Sequence, residues 1–215
     1  MKRAVVVVML LFLMISLAGC GDDGGGAPPT IVTQILSDPA FDGDIRQDAV
    51  TGDLTITQGN TQSVFAGINP ATGAEFRAFL DFPLSGAGGV PGGARIISSR
   101  LDFFVSSLQP QQFAGSIPIR IDLVAFQPPT LVASDFSRTI QPALASIVID
   151  IFQGDLNQAV TVDVTPLMTE AQRLNLLDFQ LRILSDSGVP GEIEINDTTG
   201  AARPQFAPLL EVTYQ

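Results

Sequence analysis

The chain has 215 residues, a formal net charge of −11, and neither histidine nor tryptophan. Without histidine, Ser-His-Asp and Cys-His catalysis are excluded, as are histidine-ligated zinc and iron sites. The excess of carboxylates argues against binding to nucleic acid, because phosphates are bound by basic surfaces. The length suits one domain with a sizeable core after removal of a leader.

The first twenty residues have the pattern of a secretory leader. Lys2 and Arg3 are positive, residues 4–13 are apolar, and Leu17-Ala18-Gly19-Cys20 ends in the only cysteine. The apolar run is short for a membrane span. The tetrapeptide resembles the lipobox of bacterial lipoproteins. This resemblance implies a signal peptide over residues 1–19, cleavage before Cys20, diacylglycerol on its sulfur and membrane attachment through acyl chains. An ordinary secreted protein with a chance cysteine is the alternative.

Residues 20–29 are predicted to form the lipidated cysteine and a flexible Gly/Pro tether, followed by one domain over residues 30–215. Gly21 stands where inner-membrane lipoproteins of enterobacteria carry aspartate, so the resemblance implies the outer membrane as the default location. Cleavage would leave nine arginines, no lysine and 22 carboxylates, which excludes Ser-Lys dyads and Schiff-base chemistry. With one cysteine there is no disulfide and no Cys-ligated metal within the chain.

From Ile31 onward the apolar residues recur with period two, which is typical of half-buried strands. The clearest run is residues 117–123, in which Ile117, Ile119, Ile121 and Leu123 share one face and Pro118 requires an edge or strand-start position. Similar alternation occurs at 31–36, 54–57, 64–68, 76–82, 97–105, 147–151, 160–164, 177–183, 193–195 and 210–214. Ten or so short strands separated by turn residues predict an all-β, antiparallel, jelly-roll-like β-sandwich.

One short helix is predicted after the strand at 160–164. Thr165 suits the N-cap and Pro166 the first helical position, and Leu167, Ala171 and Leu174 lie along one face. Polar residues at alternate strand positions are assigned to the solvent-facing side of the sheets. The same pattern places Ile97 and Leu177 on the core face, and it predicts exposed ionic ladders from Arg100 with Asp102 and from Arg120 with Asp122.

Several segments together resemble a known family. Residues 76–82 and 93–101 match its "R-x-F-x-x-F … G-A-x-I-x-S-A-x-L" strand pair, Val162-Asp163-Val164-Thr165 matches its "DVT" segment, and residues 179–182 and 203–214 match its last two strands. The combination resembles the DNRLRE-type domains, grouped with the family 96 carbohydrate-binding modules. The resemblance covers roughly residues 30–215 and implies a β-sandwich of secreted and surface bacterial proteins. Its motifs are mostly core and turn positions, so they indicate fold more than ligand.

A carbohydrate ligand is one implication of this resemblance. The chain departs from the usual chemistry of sugar sites, in which tryptophan or tyrosine rings commonly stack on sugar rings. It has no tryptophan, and Tyr214 is its only tyrosine. Fourteen phenylalanines remain, most of them at core-facing positions. Phe104 and Phe126 fall on the outward register of their strands, which indicates either a second buried layer or an exposed patch for a partner.

Four aspartates crowd the predicted loop after the first strand: Asp38, Asp42, Asp44 and Asp48. Calcium prefers several oxygen ligands on a flexible loop, so the residues are candidate ligands for a structural Ca²⁺. The spacing fits no EF-hand. The alternative is an acidic turn in which the aspartates accept hydrogen bonds from their own backbone.

Glu192 and Glu194 project from one face of a predicted strand, where they could bind a cation or act as acid and base. The alternative is a solvent-facing strand surface, because side chains two apart on a strand lie about 6.5–7 Å apart at the backbone. Arg203, before Pro204, is predicted to support its loop.

The sequence thus favours a non-catalytic, lipid-anchored binding or structural module of the cell envelope, with a glycan or an envelope protein as candidate partner. A carbohydrate-binding module is the alternative function. A hydrolase that uses carboxylates alone is a third hypothesis. No cofactor is predicted apart from the candidate calcium.

Overall fold

The computed structural model describes residues 28–126 and 129–215, so Cys20, the leader and most of the tether lie outside it. The described part contains twelve strands, two short α-helices and three 3₁₀ turns. The strands are β1 Ile31–Leu36, β2 Gly43–Gln47, β3 Leu54–Gln58, β4 Ser63–Ile68, β5 Glu75–Pro83, β6 Ile96–Gln109, β7 Ser116–Val124, β8 Ala145–Phe152, β9 Gln158–Asp163, β10 Asp178–Ser185, β11 Gly191–Asn196 and β12 Leu209–Tyr214. The helices are α1 Thr165–Arg173 and α2 Arg203–Phe206, and the 3₁₀ turns are Ala133–Phe136, Gln153–Asp155 and Gly200–Ala202.

All strand pairs are antiparallel, and the predicted all-β sandwich fold is confirmed. The hydrogen-bonded order is β1-β12-β6-β11-β4-β5-β10-β7-β8, with β9 added beside β6 and the β2–β3 hairpin added beside β5. The sheet curls so that the half containing β6, β11 and β12 faces the half containing β5, β7 and β10. Among the described strands, β1, β3, β8 and β9 each pair with one neighbour only.

One large apolar core fills the space between the two halves. Its members come from alternate positions of the strands, including Leu80 and Phe82 of β5, Phe103 of β6 and Phe179 of β10. The predicted inward set of β7, Ile117 to Leu123, is buried throughout. Pro118 lies near the start of β7, where a missing backbone donor is tolerated.

The helix at the end of the sandwich is confirmed, but its start differs from the prediction. Val164 occupies the N-cap position, and Thr165 is already the first helical residue. The Thr165 hydroxyl is engaged elsewhere, since its Oγ1 accepts the Ser99 N–H at 2.9 Å. Leu167, Met168 and Ala171 bury the apolar face of α1 against the core. The four-residue helix α2, which follows Ala202, was not predicted.

Two residues assigned to the core face are exposed instead. Ile97 near the start of β6 is 44% exposed, and Leu177 just before β10 is 67% exposed. Both lie at strand ends, where the alternating pattern continues past the region that the opposite half of the sheet covers. The apolar alternation is therefore reliable in strand centres and wrong at these two ends.

The segment over residues 129–144 covers the outer face of β2, β5 and β7 and creates a second buried layer. We call this layer the outer cluster; it consists of Ile45, Phe79, Val124, Phe126, Leu131 and Phe136. Phe79 and Phe126 are in ring contact, with centroids 5.7 Å apart. Arg77 lies across the Phe136 ring at 3.9 Å and donates to the Phe136 carbonyl. Of the two alternatives for Phe126, burial is confirmed. Phe104 is partly buried and packs edge-on against Phe206.

A buried ion pair between Arg182 and Asp122 lies beneath this segment. The sequence had placed Asp122 in an exposed ionic ladder instead. Asp122 is fully buried, and its Oδ2 accepts from Arg182 at 2.9 Å and from Arg138 at 3.0 Å. Arg182, also fully buried, donates further to the carbonyls of Asp135 and Gln141 at 3.0 and 3.1 Å. The predicted Arg120–Asp122 surface pair is wrong, because Arg120 bonds Asp186 instead. Arg100 pairs with Glu211 of β12 rather than with Asp102.

None of the helices in the described residues has the length and apolar character needed to cross a membrane.

Candidate functional site

The four aspartates proposed as calcium ligands are not brought together. Asp38 accepts the Ala40 N–H at 2.9 Å, and Asp48 accepts the N–H groups of Val50 and Thr51 at 2.9 and 3.1 Å. Asp44 lies in β2, which the sequence pattern had assigned to a loop. Within residues 28–126 and 129–215, no group of three or more acidic side chains is arranged to hold a metal ion.

Asp42 instead belongs to a buried polar cluster that joins the start and end of the domain. Its Oδ1 accepts the Asp81 N–H at 2.8 Å, and its Oδ2 lies 3.9 Å from the Arg203 guanidinium. Arg203 also binds Asp197 at 3.1 Å and donates to the Ser37 carbonyl. The predicted supporting role of Arg203 is confirmed, since this one side chain ties α2 to the loop before β2.

Burial and the nearby Asp197 carboxylate raise the pKa of Asp42 to about 9. A carboxyl whose pKa is higher in the folded state than in the unfolded chain stabilises the fold at low pH. That contribution is complete below about pH 4 and is lost as the pH rises to about 9. Asp42→Asn stays neutral and keeps the acceptor for the Asp81 N–H. We therefore expect its free energy of unfolding to rise, relative to that of the wild type, by at least about 1 kcal/mol from pH 5 to pH 9.

Urea unfolding at pH 5, 7 and 9 measures this gain. Asp48→Asn is the matched control, because hydrogen bonds from Thr51 and Val50 lower the pKa of Asp48. Its carboxylate stays charged from pH 5 to pH 9, so the difference in free energy of unfolding between Asp48→Asn and the wild type should not change over this range. Parallel stability curves for wild type and Asp42→Asn would show that Asp42 is not a protonated buried group.

A groove of about 360 Å³ lies where the β2–β3 hairpin meets β4. We call it the β2–β4 groove. It is lined by Asp44, Arg46, Thr55, Thr57, Thr61, Gln62, Ser63, Phe65 and Phe76. The register explains how these residues converge: Asp44 is opposite Thr57 and Arg46 is opposite Thr55 on the hairpin, while Arg46 is opposite Phe76 on β5. Residues of one parity on three neighbouring strands thus form one continuous surface.

Two phenylalanines provide the apolar part of the β2–β4 groove. The rings of Phe65 on β4 and Phe76 on β5 lie 5.7 Å apart at an interplanar angle of 51°. Both are partly exposed. Asp44 fixes β4 beside them, because its Oδ2 accepts the Phe65 N–H at 3.3 Å. Burial raises the pKa of Asp44 to about 6, and the charge of Glu192 adds to this.

The rest of the groove surface carries hydroxyl, amide and guanidinium groups. Thr55 and Thr57 are exposed on β3, and the Gln62 amide is held by Thr198 and Thr199 at 3.2 and 2.9 Å. Arg46 pairs with Asp48 at 3.0 Å. Thr61 donates to Asp197 at 3.1 Å and so connects the groove to the buried polar cluster. Partly apolar concave surfaces with a few oriented polar groups are typical of sites for small polar ligands.

Glu192 and Glu194 do not form a shared site facing solvent. Glu192 is buried and accepts from the Asn69 amide at 3.3 Å, whereas Glu194 is partly exposed. Burial raises the pKa of Glu192 against the lowering effect of Asn69, and Glu194 adds to the rise. The interpretation that both glutamates lie on a solvent-facing strand surface is therefore wrong for Glu192.

The β2–β4 groove was not predicted from the sequence. The sequence does contain a pattern that could have indicated it. Polar residues stand at alternate positions on both sides of an Asp/Gly-containing turn, Asp44 and Arg46 before it and Thr55 and Thr57 after it, which is typical of a hairpin with one polar face. β2 was missed because Ile45 is its only large apolar residue.

No protein-family profile matches the chain, and comparison with curated proteins gives no significant match.

Proposed function

We propose that the chain is a lipid-anchored, non-catalytic binding module of the cell envelope, and that the β2–β4 groove is its ligand-binding surface. The observation that carries the second part is the Phe65–Phe76 pair beside threonine hydroxyls and the Gln62 amide. Partly exposed rings and hydrogen-bonding groups on one surface suit a ligand that has both apolar faces and hydroxyls.

A neutral glycan has this chemistry. Its ring C–H faces pack on aromatic side chains, and its hydroxyls bond to amides and hydroxyls. The resemblance to DNRLRE-type domains and family 96 carbohydrate-binding modules supports the same ligand class. Asp44 is the one carboxylate that lines the groove within the described chain, whereas glycoside hydrolysis generally uses two. This favours binding without cleavage.

The proposed location depends on the N-terminal segment. The resemblance of Leu17-Ala18-Gly19-Cys20 to a lipobox supports acylation of Cys20, and Gly21 supports the outer membrane in a Gram-negative source. Each buried methylene contributes about 0.8 kcal/mol, so two or three acyl chains hold the protein firmly, where one chain would bind only marginally. The acidic domain gains nothing from anionic lipid headgroups.

A glycan array probed with the full chain in mild detergent tests the proposed ligand class. We expect binding to neutral envelope or extracellular polysaccharides, with or without added calcium. Phe65→Ala should raise the dissociation constant about tenfold, because partial burial of an aromatic ring against the ligand contributes about 1.4 kcal/mol.

Phe206→Ala is the matched control, since it breaks a second phenylalanine contact, 5.2 Å from Phe104, outside the groove. It should leave glycan affinity unchanged. Absence of binding to every glycan contradicts the carbohydrate proposal and leaves a protein ligand or a structural role. Equal losses in Phe65→Ala and Phe206→Ala contradict the placement of the ligand in the groove.

A further inference from the structure

Strand β8 is a sheet edge whose sequence lacks the usual protective residues, and helix α1 lies beside part of it. With eight residues, it is the longest of the four edge strands in the described part of the chain. Edge strands are normally blocked by proline, lysine, a bulge or a covering segment, because their free backbone groups can pair with another chain. β8 contains no proline, glycine or basic residue, and Asp150 is its only charge.

The outward face of β8 carries two large apolar side chains between polar ones. Val148 is 48% exposed and Phe152 is 53% exposed, and Leu144 and Ile140 just before the strand are exposed as well. Four of the large exposed apolar residues of the described chain therefore fall within thirteen consecutive positions. Such clustering on a soluble domain is typical of an interaction surface.

The order of residues in and beside β8 is symmetric about Val148. On the outward face the order is Leu144, Ser146, Val148, Asp150, Phe152, which reads apolar, polar, apolar, polar, apolar in both directions. On the inward face, Ile147 and Ile149 flank the same centre. A strand that pairs with its own copy about a two-fold axis needs this kind of symmetry, because the same patch faces itself.

We propose that a second copy of this chain pairs antiparallel along β8, with the two-fold axis at Val148. In this register Val148 opposes Val148, Asp150 opposes Ser146, and Phe152 opposes Leu144. Apolar side chains thus meet apolar ones, and the two Asp150 carboxylates stay apart. Moving the axis to Asp150 would place like charges directly opposite, which is destabilising. Moving it to Ile147 or Ile149 would oppose Val148 with a polar residue.

Two of the other edges, β1 and β3, fit a second copy less well. β1 is tied to a loop through the Thr33 hydroxyl, which donates to the Gly88 carbonyl. A two-fold axis at Thr33 would oppose Val32 with Gln34, an apolar residue with a polar one. β3 has five residues and borders the β2–β4 groove. The proposal is independent of the glycan proposal, since β8 contributes no residue to that groove.

Cysteine cross-linking in the full chain tests both the partner and the register. Cys20→Ser removes the only native cysteine, so an introduced cysteine is the single thiol. Opposed residues in antiparallel strands have Cα atoms about 4.5–5.5 Å apart, within the range for a disulfide. Val148→Cys should therefore form a disulfide-linked dimer under mild oxidation in detergent. Asp150→Cys should not, because the two thiols would be about 13 Å apart along the strands.

Ile56→Cys is the control for random collision, since Ile56 is 40% exposed on the edge strand β3. A several-fold higher dimer yield for Val148→Cys than for both other variants supports the proposal. The proposal is overturned if Val148→Cys stays monomeric, if all three variants cross-link equally, or if Val148→Cys couples instead to a different protein of distinct mass. Each of these results leaves the glycan-binding test unaffected.

Discussion

Arg182→Met should lower the free energy of unfolding by about 3–5 kcal/mol. Arg182 and Asp122 are both fully buried and lie 2.9 Å apart. Removing the guanidinium leaves the Asp122 carboxylate in the interior with only Arg138 as a cationic partner. It also removes the donors to the Asp135 and Gln141 carbonyls, which hold the segment 129–144 over the sheet. An uncompensated buried charge is among the costliest single defects in a folded protein.

Equilibrium denaturation of wild type and variant at neutral pH measures this loss. Arg182→Met combined with Asp122→Leu should recover part of it, because a matched apolar pair avoids the isolated charge. Arg100→Met is the control: Arg100 pairs with Glu211 on the surface, where such pairs contribute about 0–1 kcal/mol. Equal losses in Arg182→Met and Arg100→Met would contradict a special role for the buried pair.

Phe179→Ala should cost a similar amount, about 3–5 kcal/mol, because it removes a large side chain from the centre of the core. Phe179 is fully buried on β10, and its ring lies 6.3 Å from that of Phe82 across the strand pair. The surrounding strands are fixed by hydrogen bonds on both sides, so the cavity cannot close fully. The same denaturation experiment measures the effect.

Leu177→Ala is the matched control for Phe179→Ala. The alternation of the sequence places both residues on one face, but Leu177 is 67% exposed. Its substitution should change the free energy of unfolding by less than about 0.5 kcal/mol. A loss of several kcal/mol in the free energy of unfolding of Leu177→Ala would contradict the exposed position of Leu177.

The centres of the strands were predictable because each buries one face against the opposite half of the sheet. Ile117 to Leu123 of β7 is the clearest example, with four apolar residues at alternate positions and all of them buried. Period-two alternation reports this burial directly. The helix α1 was found for a similar reason, since Pro166 marks its first turn and apolar spacing marks its face.

The second buried layer was not predictable from the same pattern. Asp81 and Asp122 stand at outward positions of their strands, which normally face water. Asp122 is buried because residues 129–144 pack over it, and Asp81, also buried, accepts from Gln180 of the neighbouring strand β10 at 2.8 Å. Contacts between segments distant in sequence decide the burial of such residues, and alternation within one strand carries no information about them.

The candidate site was missed for a related reason. The β2–β4 groove depends on β2, whose polar sequence does not show the apolar alternation of a strand. It also depends on Phe65 and Phe76, which lie diagonally across the β4–β5 pair, since Phe76 is opposite Gly67. By contrast, the four aspartates were conspicuous in the sequence, yet each bonds different partners.

The proposed attachment of this domain to a membrane through Cys20 is best tested by mass spectrometry of the mature N-terminus. We expect a chain that begins at Cys20, with a diacylglyceryl thioether on its sulfur and an acyl chain on its amine. Cys20→Ser should move the protein from the membrane fraction to the soluble fraction. An unmodified Cys20 thiol, or a mature N-terminus at another residue, would rule out the proposed anchor.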